Sequence, residues 1–223
     1  MATDAADPRS AFRGELCELR EVVLRMGALV EGMLARAIRA LVTQDLALAE
    51  EVRRTDDVAD ALDLQIEEVC TRLLATQQPL ARDLRAITGA LRIAADLERI
   101  GDYATDIAKV VRRLHAEPYF KPLEDIPQMA DRCREMIHLV LRCFVEGDRE
   151  PALQIGAMDD EIDAMWKSLR AELMDYMTGD TRYVHQAMHL MLVARYLERI
   201  GDHTVNVAER ILYMQTGTLR KLN

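Results

Sequence analysis

The chain has 223 residues, half of them apolar and 30% charged, enough to bury a sizeable core as one or two domains. A net charge of −9 repels phosphate backbones, which sets general nucleic-acid binding aside, a local basic patch excepted, and favours cations or basic protein surfaces as partners. Aromatic residues make up only 4% while Ala, Leu, Met, Glu and Arg abound, the composition of an all-α protein.

The amino terminus, MATDAADPRSAF, has two early acids and no apolar segment, so it does not read as a secretory signal; residues 1–9 are expected to be a flexible lead-in. Helix one is expected from near Ser10 to about Val42, with Leu34, Ala37, Ile38 and Leu41 at three- and four-residue spacing. Asp45 is a natural cap for helix two, which runs to about Ala75 on an apolar stripe of Val58, Leu62, Ile66, Val69 and Leu73. Pro79 suits the first turn of helix three, which continues to about His115. The segment AEPYFKPLEDIP then places three prolines within ten residues, the one credible boundary, and residues 118–126 read as a linker between units 10–117 and 127–217. Helix four follows from roughly Pro127 to Val145, and Gly147-Asp148 stops it and caps helix five. That helix ends near Met177, where Gly179 offers a C′ position and Asp180 a cap for helix six, which reaches about Gln215; residues 218–223 are left as a tail. No run approaches the roughly 18 apolar residues of a membrane-spanning helix, so a cytoplasmic protein is expected.

The second half repeats the first. Asp45 recurs at Asp148 and Asp56-Asp57 at Asp159-Asp160, a shift of 103, while LERIGD at Leu97 recurs at Leu197, a shift of 100. Between Ala94 and Ala108, eight of fifteen positions are identical to those 100 residues on, which makes a duplicated three-helix unit the simplest reading. The repeat preserves charge as well as apolar residues. With about 100° per residue, Ile93, Leu97, Ile100, Ala104, Ile107 and Val111 share one face of helix three, and Glu98, Asp102 and Asp106 form a stripe on roughly the opposite face. In helix six Val193, Leu197, Ile200, Val207 and Ile211 take the apolar role, with Glu198 and Asp202 outward and Asn206 in place of the third acid.

Acids four apart on a helix repel by a few tenths of a kcal/mol. Arg99 and Arg199 follow their glutamates directly and are expected to reach only sideways. A multivalent cation relieves the repulsion better, because carboxylates on adjacent turns converge on one hard ion, and oxygen-only donors suit Mg, Mn, Ca or iron rather than soft metals. One helix cannot surround an ion, but helix two brings Asp56 and Asp60, and helix five Asp159 and Asp163, at the same spacing. Any single pair reads as a solvated helix face; four pairs at matched places in two repeats argue for metal sites, against the alternative of a helical scaffold or partner-binding module whose acids serve solvation alone.

Taken together, DLERIGDYATDIA, YLERIGDHTVNVAE, RRTDDVADALD and QQPLARDLRAI, set in a duplicated six-helix plan, resemble the PhoU family of bacterial phosphate-signalling regulators, from about Phe12 to Gly217. The resemblance implies two tandem antiparallel three-helix bundles related by pseudo-symmetry, assembled as a homodimer, and metal clusters (Mg, Mn, Fe or Zn) on E(D)xxxD motifs, here Asp56, Asp60, Glu98, Asp102 and Asp106 in one half and Asp159, Asp163, Glu198 and Asp202 in the other. It implies a regulatory role without catalysis, between the ATPase-driven phosphate ABC transporter and a sensor histidine kinase held inhibited when phosphate is plentiful. Membrane association is expected only through those partners. Arg170 stands where the first half has Glu67, so the second site is expected to bind more weakly or hold fewer ions.

Other constellations are weaker. His185 and His189 are expected on the apolar side with His203, as core or interface histidines. Glu135 and His138 make a single ExxH, where a di-iron bundle needs two plus further glutamates, and no P-loop, GxSxG or GxGxxG occurs. The twelve methionines read as core filler, and Cys17, Cys70, Cys133 and Cys143 as reduced, buried thiols. Gly101 and Gly201 each cost about 1 kcal/mol against Ala within a helix, for close helix packing or for room beside the acidic stripe.

Overall fold

The computed structural model describes residues 8–222. Its six α-helices are α1 (Pro8–Thr43), α2 (Leu46–Thr76), α3 (Ala81–Leu114), α4 (Asp125–Glu146), α5 (Glu150–Gly179) and α6 (Val184–Thr216), the last preceded by a 3-10 turn at Thr181–Tyr183. Most of the expected lead-in lies outside the described residues, and α1 begins two residues earlier than its spacing suggests.

Local chemistry accounts for most of the ends. The Asp45 carboxylate accepts from the backbone N–H groups of Ala47 (2.9 Å) and Leu48 (3.0 Å), satisfying two donors that the first turn of α2 leaves free. Gly147 closes α4 in the left-handed conformation, φ 72°, and the Asp148 carboxylate accepts from Glu150 N–H (3.1 Å) as α5 begins. Pro79 lies before α3, whose first turn follows Leu80. The end of α5 departs from expectation: Gly179 is its last helical residue, and Asp180 caps the 3-10 turn by accepting from Arg182 N–H (2.9 Å). The Arg182 guanidinium holds the same carboxylate (2.6 Å), so the chain makes one tight turn before α6 starts.

Two three-helix bundles result, α1–α3 and α4–α6, and their buried residues form one continuous core. α3 packs against α1, α2 and α6, α6 packs against α3, α4 and α5, and α1 also meets α4, leaving α2 and α5 on the flanks. The central pair is antiparallel: Gly89 of α3 sits under Met214 of α6, Asp96 meets His203 at 2.9 Å, and the rings of Tyr103 and Tyr196 stack 5.8 Å apart. Under the shift of 100, Tyr103 corresponds to His203 and Asp96 to Tyr196, so the crossing lies on the pseudo-twofold axis.

The apolar faces expected of α3 and α6 are buried at every named position. In α2 the inward line is Val52, Ala59, Ile66 and Leu73, a seven-residue repeat, and Val58 turns out at 51% exposure because a flanking helix presents only a narrow stripe to its neighbours. Met26, Met33, Met129 and Met136 fill the core, whereas Met188 is exposed. The four thiols are free; Cys70, Cys133 and Cys143 are buried, with the Cys70 thiol pushed up to about 12 by desolvation, but Cys17 is exposed. His203 lies in the seam between the bundles. His185 instead is exposed and His189 half-buried, their rings tilted at 52° with centroids 4.6 Å apart.

The segment between the bundles is tied to both. Tyr119 donates to the Leu41 carbonyl (2.6 Å), and the Gln44 amide donates to the carbonyls of Leu114 (3.0 Å) and Glu117 (2.8 Å). On the other side the buried Gln186 accepts from Phe120 N–H (2.8 Å) and donates to the Pro118 carbonyl (3.2 Å), so both ends of a buried amide are satisfied. Among the described residues no helix is long and apolar enough to cross a membrane.

Candidate functional site

The acids of the first half meet along the seam between α2 and α3. Arg99 bridges two of them, Nε lying 3.3 Å from Glu98 and Nη1 2.9 Å from Asp102, and Lys109 holds Asp106 at 2.8 Å. Burial raises the Asp56 carboxyl above the usual carboxylate range; the charges of Asp102 and Asp60 add to this and that of Lys109 opposes it. Burial also raises Glu98, with Asp102, Asp63 and Asp60 adding to it and Arg99 opposing. These mutual effects place Asp56, Asp60, Glu98 and Asp102 in one electrostatic neighbourhood and add Asp63, itself raised by burial and by the charges of Glu67 and Asp60. Asp63 continues the Asp56–Asp60 stripe one turn on, at i+7, a spacing that could have identified it. The charge of Asp106 also acts on Tyr196 across the α3–α6 seam.

In the second half, Asp159 and Glu198 are buried, at 5% and 8% exposure. Arg195 Nη1 bonds Glu198 Oε1, Arg199 reaches Asp202 (3.5 Å) and approaches Glu198 Oε2 (4.0 Å), and Lys167 holds Asp163 (3.1 Å). Glu198 Oε2 is out of solvent and accepts no hydrogen bond. Burial raises the Glu198 carboxyl, with Asp202 adding to it and the two arginines opposing. Asn206 takes no part here; it donates to Asp96 (3.2 Å) across the central seam.

The expected outward-facing stripe is therefore corrected. Glu98, Asp102 and Asp106 are half-buried and Glu198 is buried, because α3 and α6 each touch three other helices and the packed arc extends past the apolar residues onto the first acid. The arginines do more than reach sideways: each guanidinium spans the two carboxylates beside it. Among the described residues, no three acidic, imidazole or thiol groups stand arranged to hold a metal ion. The donors are hard oxygens whose charge the neighbouring arginines and lysines offset in part, which suits a hard cation, but side chains must rotate to converge on one.

The two repeat glycines differ in purpose. A Cβ at Gly101 would meet Val30, Met33 and Ala59 at 3.4–3.9 Å, ordinary contact, whereas a Cβ at Gly201 would lie 2.4 Å from Asp159 Oδ1. Gly201 therefore makes room for a carboxylate beside the acidic seam.

Fold and seams define a duplicated helical-bundle protein with paired carboxylate faces. The family model for the PhoU domain matches it twice, over residues 23–111 and 126–211. The chain is 38% identical over 216 residues to the phosphate-specific transport system accessory protein PhoU homolog of Clostridium acetobutylicum, covering 96% of this chain and 99% of that one. It is 41% identical over 207 residues to the Aquifex aeolicus homolog, covering 93% and 94%. Among solved structures it resembles PhoU from Pseudomonas aeruginosa (TM-score 0.90, 35% identity, 93% of this chain and 100% of that one). It also resembles the phosphate transport system regulatory protein PhoU from Streptococcus pneumoniae (TM-score 0.87, 30% identity, 94% and 99%). The chain belongs to the PhoU family.

Two measurements check this geometry. Thermal unfolding should separate the glycines: Gly101→Ala is neutral or stabilising by up to ~1 kcal/mol through helix propensity, while Gly201→Ala costs about 1–3 kcal/mol by overpacking against Asp159. Denaturant unfolding in chelator should find Glu98→Gln more stable than wild type near neutral pH. Because the folded Glu98 carboxyl is raised, its contribution is present below the unfolded value and lost as pH rises through the folded one, so the variant's advantage shrinks as pH falls through that raised value.

Proposed function

We propose that this protein is an accessory regulator of phosphate uptake and phosphate-starvation signalling, a cytoplasmic homodimer that binds metal at its carboxylate seams and docks on the phosphate ABC transporter and a sensor histidine kinase. The observation that carries the role is the near-full-length similarity to proteins named as phosphate-specific transport accessory proteins. The scaffold suits docking: rigid helix faces rich in charge give specificity and fast association rather than large binding energy.

The metal reading draws on three features. The donors are oxygen only, burial and mutual repulsion raise Asp56, Asp63, Glu98 and Glu198 together, and Glu198 Oε2 lacks a hydrogen bond. Asp56, Asp60, Glu98 and Asp102 would hold an ion in the first half, with Asp63 beside them, and Asp159, Asp163, Glu198 and Asp202 in the second. A bound ion would supply positive charge that the arginines provide only in part. The competing reading, a helical scaffold without functional metal, draws on Arg99 and Arg199, which already span the acid pairs.

Melting after chelation and readdition separates the two readings. With Mg, Mn or ferric ion at about 100 times its Kd, a site present only in the folded state adds about 2.7 kcal/mol, a Tm rise of about 5–10 °C for a chain of this size. A combined Asp56→Asn, Asp102→Asn variant should lose most of that rise. An unmoved Tm, together with no metal in protein purified without chelator, leaves the scaffold reading standing. For the pathway, deletion in the host should switch on phosphate-starvation genes in rich phosphate; a reporter that stays silent rules the repressor role out.

A further inference from the structure

The two acidic seams descend from one repeated unit but differ in charge. In the first, Asp56, Asp60, Asp63, Glu98, Asp102 and Asp106 are countered at ion-pair distance by two basic side chains, Arg99 and Lys109. In the second, Asp159, Asp163, Glu198 and Asp202 lie with three, Arg195, Arg199 and Lys167. Arg199 is common to both copies through Arg99. Arg195 is not: the position 100 residues earlier is Ala95, an exposed methyl group that can pair with nothing.

Arg195 acts on the most enclosed glutamate of the pair. The Glu198 side chain is 10% exposed where the equivalent Glu98 is 26% exposed, and Arg195 bonds its Oε1. A carboxylate removed that far from water requires a cation or a full set of hydrogen bonds. Oε1 bonds Arg195, whereas Oε2, out of solvent, accepts no hydrogen bond and has only Arg199 at 4.0 Å. Three basic side chains thus lie with the four acids of the second seam, and one buried oxygen, Glu198 Oε2, is still without a hydrogen bond. The first seam has no counterpart of this arrangement.

We propose that Arg195 sets the metal affinity of the second seam: it is an internal cation that competes with the metal ion for Glu198, so that this seam fills only after the first. The inference rests on the metal reading above. An arriving divalent ion must either displace the guanidinium from Oε1 or sit on Oε2 beside a fixed positive charge, and either route weakens binding. Arg99, which faces more carboxylates than it can neutralise, imposes less of this competition.

The test is a Mn2+ titration of the full chain by calorimetry. Wild type should show two classes of site, and Asp102→Asn should remove the tighter one. Arg195→Gln keeps a hydrogen-bond donor near Glu198 without the charge, and should strengthen the weaker class by about tenfold. Arg195→Lys keeps the charge and should leave that class near wild type. An Arg195→Gln variant whose weaker class is unchanged or weakened overturns the proposal while the metal reading stands, as does tightening by Lys equal to that by Gln. A wild-type chain that binds no Mn2+ overturns both.

Discussion

The antiparallel crossing of α3 and α6 is the constraint on which the rest of the molecule depends. Each of these helices must satisfy three neighbours at once, so its buried arc is wider than the stripe of an ordinary amphipathic helix. Small residues admit the close approach, as where Gly89 lies beneath Met214, and polar pairs fill the crossing itself, as where Asp96 meets both His203 and Asn206. Because the pseudo-twofold axis passes through this crossing, the two bundles share one core and are not separable beads on a linker. The linker reinforces this: Tyr119 and Gln186 attach it to opposite bundles.

The same crowding explains the state of the acids. A glutamate four residues from an aspartate on an open helix face would be hydrated and nearly unperturbed. Here the neighbouring flank helix covers part of the seam, so Glu98 and Glu198 lose water while their charged neighbours stay close, and both effects push proton affinity up. The chain supplies a partial remedy in the arginine that follows each glutamate. Its guanidinium is long enough to reach back to the glutamate and forward to the aspartate one turn on, which accounts for its recurrence in both copies.

Duplication has not kept the two seams equal. The first gathers more carboxylates, including Asp63, and the second gains Arg195 and loses the third acid, Asn206 being turned to the central crossing instead. The glycines diverge in step: Gly101 lies against apolar side chains, while Gly201 clears space for the Asp159 carboxylate. One motif thus serves two local environments, and the divergence lies in the charges around it.

The helix count, the duplication and the buried faces of α3 and α6 were legible in the sequence, because apolar spacing and capping residues such as Asp45 and Asp148 act locally and report a helix wherever it lies. The acidic positions were legible as repeated spacing. What spacing could not report was how far a helix is surrounded: a helical wheel put Glu198 outward, and in the packed bundle it is buried. The exposure of Val58 and of His185, the reach of the arginines and the placing of Asn206 across the seam were likewise decided only when the second helix arrived. Sequence alone determined which residues share a face of their own helix; tertiary structure decided which of those faces meets water, because that depends on neighbours distant in the chain.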